Sequence, residues 1–263
     1  MVLVTGSALV LLASVSTVLA QDTDVNTVMS AFTNAHIVPD VLPSFAPRLP
    51  LLVSFPQTDG SPAVNVTAGV QLTIAQTANE PSFALVSDNA AIQGKPYLIA
   101  MVDPDAPTPQ NTSFAQVRHF LGADFISDAE VDGTWPMTNR SAPLSNYRGP
   151  QPPDGSAAHR YVVLCYLQAA QGDIAAPAGF DPSNTLNFNV SQFIGGFSSE
   201  LTLIGGTFFL VAPDSAGTPT TTTGGGGAPT ETPAGAATRV RVGLDALSVV
   251  LGLIGLSGLV FGL

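Results

Sequence analysis

Alternation of hydrophobic and polar residues, or a short apolar run rich in β-branched residues, recurs in seven short segments of the chain. They are "LLVSF" (51–55), "VQLTI" (70–74), "FALVS" (83–87), "YLIAMV" (97–102), "HFLGADF" (119–125), "RYVVLCYLQ" (160–168) and "TFFLVA" (207–212). β-Branched and aromatic residues crowd these segments, and Pro or Gly punctuates nearly every gap, as in "FPQTDGSP" and "GPQPPDG". Each segment therefore reads as a strand bounded by turns. "YLIAMV" and "YVVLCYL" are apolar on both faces, which predicts central strands covered on either side. Helical spacing is confined to "TDVNTVMSAFTNA" (23–35) and "NVSQFIGGF" (189–197). The expected fold is mostly β with one or two short helices.

The alternation stops at both ends. "ALVLLASVSTVLA" (8–20) is an apolar run closed by Val18-Leu19-Ala20 ahead of the polar "QDTD". This order predicts a signal peptide over 1–20 cleaved before Gln21, although no Lys or Arg precedes the run. The competing reading is a buried first helix. At the other end, the small residues Gly235, Ala236 and Ala237 precede a short polar spacer and the apolar "GLDALSVVLGLIGLSGLVFGL" (243–263). Small triplet, spacer and terminal apolar tail predict a GPI anchor attached near Gly235, with the tail at 244–263 removed. A retained transmembrane helix, pairing through Gly258 and Gly262, is the alternative. Residues 214–243, rich in Thr, Gly and Pro, have too little apolar bulk to form a core and read as a stalk. The folded body is then 21–213, one domain by length.

Charge narrows the partners. The 263 residues carry a net charge of −11 with a single lysine, Lys95, which argues against nucleic acid and against electrostatic docking on anionic lipid. The one cysteine, Cys165, permits no internal disulfide. It lies in a central strand with no basic neighbour in sequence, which reads as an inert buried thiol rather than a nucleophile. Sequons at Asn65, Asn111, Asn139 and Asn189 are candidate glycosylation sites and agree with a secreted, cell-surface address.

The chemistry-bearing residues gather behind two of the strands. "DPDAP" (103–107) follows "YLIAMV", and "GPQPPDGSAAHRYV" (149–162) leads into the next central strand. Two residues apart on an extended chain, Asp103 and Asp105 face opposite ways and make a poor shared-proton pair. One is expected to face inward while the other closes the turn through an Asx bond. His119 and His159 each stand at a strand start, so the three groups can converge on one rim of a sheet. A Ser-His-Asp hydrolase lacks a G-x-S-x-G elbow, since "GGFSSE" (195–200) does not match. A metal held by Asp103, His119 and His159 matches no tight ligand spacing. An anion pocket explains the prolines as dry walls and the imidazoles as donors. A polar loop with two structural histidines explains the same residues taken singly.

"DPDAP", "HF" (119–120), "GPQPPDG" (149–155) and "HRYV" (159–162) stand in the order and spacing of the phosphatidylethanolamine-binding protein family. "VTAGVQLTI" with "EP" (80–81), and "GGTFFLVA", extend this resemblance over roughly residues 40–213. The chain thus resembles a secreted, GPI-anchored member. The resemblance implies a Greek-key β-sandwich with a small anion cavity at one end and no enzymatic activity, cofactor or metal. Carried over, the ligand-binding positions are Asp103, Pro107, His119, Tyr147, Gly149, Pro152, Pro153, His159 and Tyr161. Asp103 would orient an imidazole, His119 with His159 or Tyr161 would donate to a phosphate-bearing head group or other small anion, and the prolines would shape the wall. Two departures imply a more open pocket: Val117 stands where animal members carry an aromatic residue, and the stalk begins where their closing helix stands. Arg118 and Arg148 could bring positive charge to its mouth. The alternative function is a protein-interaction module or inhibitor of a serine carboxypeptidase or other protease, with 21–43 as an accessible arm toward a protease or signalling partner.

Overall fold

The computed structural model describes residues 21–172, 174–197 and 201–214. The leader at 1–20, the stalk beyond residue 214, Gly235 and the tail at 244–263 lie outside the described residues. The chain divides at residue 219 into two units, and everything described belongs to the first.

The strands are β1 (Leu51–Phe55), β2 (Val64–Asn65), β3 (Val70–Leu72), β4 (Ser82–Val86), β5 (Pro96–Asp103), β6 (Val117–Ile126), β7 (Thr134–Asn139), β8 (His159–Gln168) and β9 (Leu201–Val211). The helices are α1 (Val25–Asn34), the single turn α2 (Ile37–Asp40) and α3 (Val190–Gly195). The strands form one curled sheet in the order β2-β1-β4-β7-β6-β5-β8-β9-β3, which departs from chain order as Greek-key connections require. β6 and β7 share only two residue pairs, Phe125 with Asn139 and Ile126 with Thr138. At that weak seam the sheet turns back on itself, so β1, β4 and β7 lie over β5, β6, β8 and β9. Val53, Phe55, Leu85 and Trp135 from one layer meet Ile99, Met101, Phe120, Val163 and Phe209 from the other. This is the mostly-β fold that the alternation predicts and the sandwich that the resemblance implies.

The second apolar face of the central strands is covered from outside. Leu98, Ala100 and Val102 of β5 and Val162 and Leu164 of β8 pack beneath Phe32, Phe45, Val190 and Phe193. A strand with alternate residues in two cores must be apolar throughout, which is why β5 is buried at every position. Both flanking helices start at side-chain caps. Asp24 accepts the Asn26 N–H at the start of α1, and Asn189 accepts the Gln192 N–H at the start of α3.

The packing corrects one expectation. Residues 21–43 are not a free arm: Val28, Phe32, Ile37, Val41 and Leu42 are buried. The Gln21 amide donates to the Val53 carbonyl at 2.8 Å, and the Asp22 carboxylate accepts the Ala68 N–H at 2.6 Å. The apolar spacing of α1 is spent on the second core.

Gly205 of β9 allows the segment before β1 to cross the sheet closely, and Gly206 leaves room for the neighbouring strand β8. A Cβ on Gly205 would collide with the Leu49 carbonyl oxygen, and one on Gly206 would stand 2.8 Å from the Val163 carbonyl oxygen. Backbone atoms cannot rotate away as a side chain can. Gly205→Ala is expected to destabilise the domain by about 1–3 kcal/mol, seen as a lower urea midpoint with an unchanged slope.

Candidate functional site

β5 runs antiparallel to both β6 and β8, so its C-terminal end meets the beginnings of both neighbours. Asp103 is the last residue of β5, His159 the first of β8 and His119 the third of β6. The three side chains therefore converge at one rim of the sandwich. A β-bulge fixes the third: Met101 pairs with Phe120 and Val102 with Arg118, which leaves His119 as the extra residue. The bulge keeps His119 and Phe120 both toward the inner face and sends Arg118 outward with Val102. His119 meets the ring of Tyr161 edge-on at 5.0 Å, and Tyr161 stacks on Phe209 at 5.4 Å.

Asp103 organises the group. Its Oδ2 accepts from His159 Nδ1 at 2.8 Å, and its Oδ1 accepts the Asp105 N–H at 2.7 Å. Both roles divided between the two aspartates in the sequence reading thus fall on Asp103, which faces inward and closes the Asx turn. Asp105 instead takes Arg160, accepting from Nε at 2.9 Å, Nη2 at 2.7 Å and the backbone N–H at 2.8 Å. Arg160 Nη1 also donates to the Ala35 carbonyl and the Asp40 carboxylate, tying the loop to the α1–α2 junction.

The two imidazoles are used differently. His159 is committed on both sides, since its Nε2 lies 2.9 Å from Ser156 Oγ. His119 gives its Nδ1 proton to the Arg148 carbonyl at 2.7 Å, and the Arg148 N–H returns a bond to the His119 carbonyl at 2.8 Å. Its Nε2 has no hydrogen bond among the described residues and stands 4.0 Å from Asp103 Oδ2. Burial lowers the His119 pKa below 6.5, against the opposing pull of the Arg148 carbonyl and the Asp103 carboxylate. The Tyr161 hydroxyl is held far above the tyrosine range by burial, then by Asp103 and Asp105, and so remains a donor. His159 has both ring nitrogens engaged within the chain and the Tyr161 hydroxyl bonds the Asp103 carboxylate, so among the described residues His119 Nε2 is the imidazole nitrogen left open to the cavity.

Asp103, His159 and Ser156 form a chain in the order that activates a serine nucleophile. Sequence reasoning missed Ser156, whose only signal is its place three residues before His159. The hydroxyl also lies 2.9 Å from the Ala157 carbonyl, Ser156 is 6% exposed, and it does not line the cavity. It therefore steadies the imidazole and is not presented to a ligand.

The cavity beside these residues measures about 480 Å³ and is lined by Asp103, Pro107, His119, Gly149, Pro153, His159 and Tyr161, with Ala106, Val117, Arg148 and Gln151. Two positions carried over by resemblance lie elsewhere. The Tyr147 hydroxyl donates to the Thr77 carbonyl at 2.6 Å, pinning the loop to the turn at 75–77, and its ring packs on Phe55. Pro152 is buried and does not line the cavity. Arg148 is exposed at the mouth, whereas Arg118 lies on the opposite face of β6. Of the sequon residues, Asn111 and Asn189 are exposed, while Asn65 and Asn139 are half-buried. Among the described residues, no three His, Cys, Asp or Glu side chains are grouped to hold a metal ion. Cys165 is buried, and burial pushes its thiol well above the ordinary range.

A sequence profile described as phosphatidylethanolamine-binding protein matches residues 61–209. Protein TWIN SISTER of FT from Arabidopsis thaliana is 28% identical over 155 residues, 58% of this chain and 77% of that protein. Among solved structures, a carboxypeptidase Y inhibitor complexed with its cognate proteinase is similar with a TM-score of 0.59 and 22% identity, over 72% of this chain and 96% of that one. The phosphatidylethanolamine-binding protein from Plasmodium vivax gives a TM-score of 0.50 and 16% identity, over 70% of this chain and 97% of that one. At these identities the two structures speak for the fold.

Proposed function

Because this chain belongs to the phosphatidylethanolamine-binding protein family, we propose that its domain is a non-enzymatic binding module whose cavity takes a phosphate-bearing head group or comparable small anion. The observation that carries this reading is the unbonded Nε2 of His119, set in the cavity between the Asp103 carboxylate and the Arg148 mouth. With Nδ1–H committed to a carbonyl, a neutral ring presents a lone pair to the ligand. Only the imidazolium can donate to an anion there. The leader, the four sequons and the anchor near Gly235 complete the reading as a secreted protein tethered to the outer cell surface. Release of the protein from intact cells by a phosphatidylinositol-specific phospholipase tests that address.

The lowered pKa of His119 fixes the pH dependence. An anion binds the protonated ring, so binding raises the His119 pKa, and affinity must increase as pH falls through the region below about 6.5. Glycerophosphoethanolamine suits the test because its phosphodiester keeps one negative charge throughout. Its dissociation constant is expected to fall by up to about tenfold per pH unit in that window. The His119 imidazole resonance should move with it while that of His36, exposed and remote in sequence, stays still. A His119 resonance unmoved by ~10 mM ligand at low pH would sink the reading. Without ligand the sign is opposite for stability. The unfolded chain takes up the His119 proton first, so the contribution of the neutral buried ring is present above about pH 6.5 and is lost as pH falls toward the folded-state value.

The protease-inhibitor alternative has the carboxypeptidase Y inhibitor fold in its favour. The segment proposed to carry it is packed into the second core, so any such contact would fall to surface loops. Absence of carboxypeptidase inhibition at micromolar protein removes it.

A further inference from the structure

Arg118 is 1% exposed, and the acid that acts on its charge, Asp181, does so from beyond contact distance. Among the described residues no carboxylate stands within ion-pair distance of it. The guanidinium lies over the ring of Phe180 at 4.6 Å and over that of Phe188 at 5.0 Å. Its Nη2 donates to the carbonyls of Asp181 and Pro182, at 3.2 and 3.0 Å, and its Nε is buried without an acceptor. Guanidinium stays charged in proteins, so the group cannot escape its burial by losing a proton. Carbonyls and ring faces offset part of the cost, but an unmade charged hydrogen bond in a dry setting is strongly unfavourable.

The same side chain lines a cavity of about 360 Å³ that shares no residue with the His119 cavity. Phe180, Phe188 and Phe193 supply apolar wall, and Asn184, Asn187 and Gln192 supply amide donors and acceptors. The three rings form one cluster, with centroids 5.1–6.5 Å apart. A buried cation, an aromatic wall and neutral amides around a space of this size match a small organic anion.

We propose that this cavity is a second ligand site, built for a small monocarboxylate with an aromatic or aliphatic body, with Arg118 as its charge partner. A single negative charge is favoured because the Asp181 carboxylate, held by Ser183, also lines the cavity and would repel a dianion. The rings reward an apolar body that inorganic anions lack.

Benzoate, acetate and inorganic phosphate are the probes, titrated into the full chain at pH 7 while the Arg118 Nε–H and the Phe180 and Phe193 ring resonances are followed. Benzoate is expected to shift these signals saturably near ~1 mM, acetate about tenfold more weakly, and phosphate not at all. Arg118→Lys should weaken benzoate at least about tenfold, since a compact ammonium cannot reach the same position. Ala178 is exposed and lines the cavity, so Ala178→Phe blocks the space while leaving the Arg118 contacts intact, and it should have the same effect. His119→Ala should leave benzoate binding unchanged, which separates this site from the head-group cavity. The proposal is overturned by no saturable benzoate shift, by a shift that survives Ala178→Phe, by phosphate matching benzoate, or by loss of the response in His119→Ala.

Discussion

Arg160→Met is expected to lower the stability of the domain by about 3–5 kcal/mol, or roughly 10 °C in melting temperature for a body of this size. Asp105 is 3% exposed, and three of its hydrogen bonds come from Arg160. Removing the guanidinium leaves a nearly buried carboxylate with only the backbone N–H of residue 160, of its three Arg160 bonds, to hold it. The same guanidinium reaches Ala35 and Asp40, so the junction of α1 and α2 also loses its tie to β8. Asp105→Asn in the Met background removes the stranded charge and should restore most of the loss. The coupling between the two sites is then read from the double-mutant cycle. If Arg160→Met proved as stable as the parent, the pair would be a surface contact of little weight. Thermal unfolding of the four proteins decides it.

The loop that Arg160 holds also carries the site, and that connection was only partly legible. The sequence located Asp103, His119 and His159 because turn residues mark the ends of strands, and antiparallel neighbours bring those ends together. It could not say which aspartate served the histidine. Alternation assigns faces, whereas the choice rested on Arg160 arriving from β8 to claim Asp105. The bulge at His119 was equally hidden, since one extra residue on β6 appears only when register with β5 is known. That single residue decides that His119 faces the cavity and that Arg118, expected at its mouth, goes to the opposite face. Tyr147 and Pro152 were placed at the cavity by motif position, but the Tyr147 hydroxyl is spent on Thr77.

The fold was more legible than the site because apolar alternation is a property of each strand alone. Even so, β7 went unread: "TWPMTN" contains Pro136, which reads as a breaker. Its place is set from outside, by Phe83 opposite Met137 and Leu85 opposite Trp135 on β4. The first part of β9 was missed for a related reason. Gly205 and Gly206 look like a turn, yet Gly205 is required by the close crossing at Leu49 and Gly206 by the Val163 carbonyl of β8.

Asp103→Asn makes the cavity less negative, yet it is expected to weaken anion binding by on the order of tenfold or more. Both Asp103 oxygens accept hydrogen bonds, from Asp105 N–H and from His159 Nδ1. An amide that keeps its oxygen on the Asp105 N–H turns its NH2 toward His159 Nδ1, which forces the other imidazole tautomer, with Nε2–H directed at Ser156 Oγ. The charge matters separately. Asp103 is one of the two groups that raise the His119 pKa against burial, and its Oδ2 stands 4.0 Å from Nε2. Without it His119 takes its proton at lower pH, and a ligand that needs the imidazolium must bring about that protonation unaided. Direct repulsion between Asp103 and the ligand opposes this effect but is weaker, since a ligand oxygen bonded to the open side of Nε2 lies farther from the carboxylate than Nε2 does. The two effects therefore leave binding weaker, the His119 pKa lower, and the midpoint of the binding profile moved toward acid. Imidazole titration and glycerophosphoethanolamine affinity, measured on the same variant, separate them. Tighter binding, or a His119 pKa that rises in Asp103→Asn, would mean that the cavity attracts anions by net charge alone and that the Asp103–His119 pairing has no part in it.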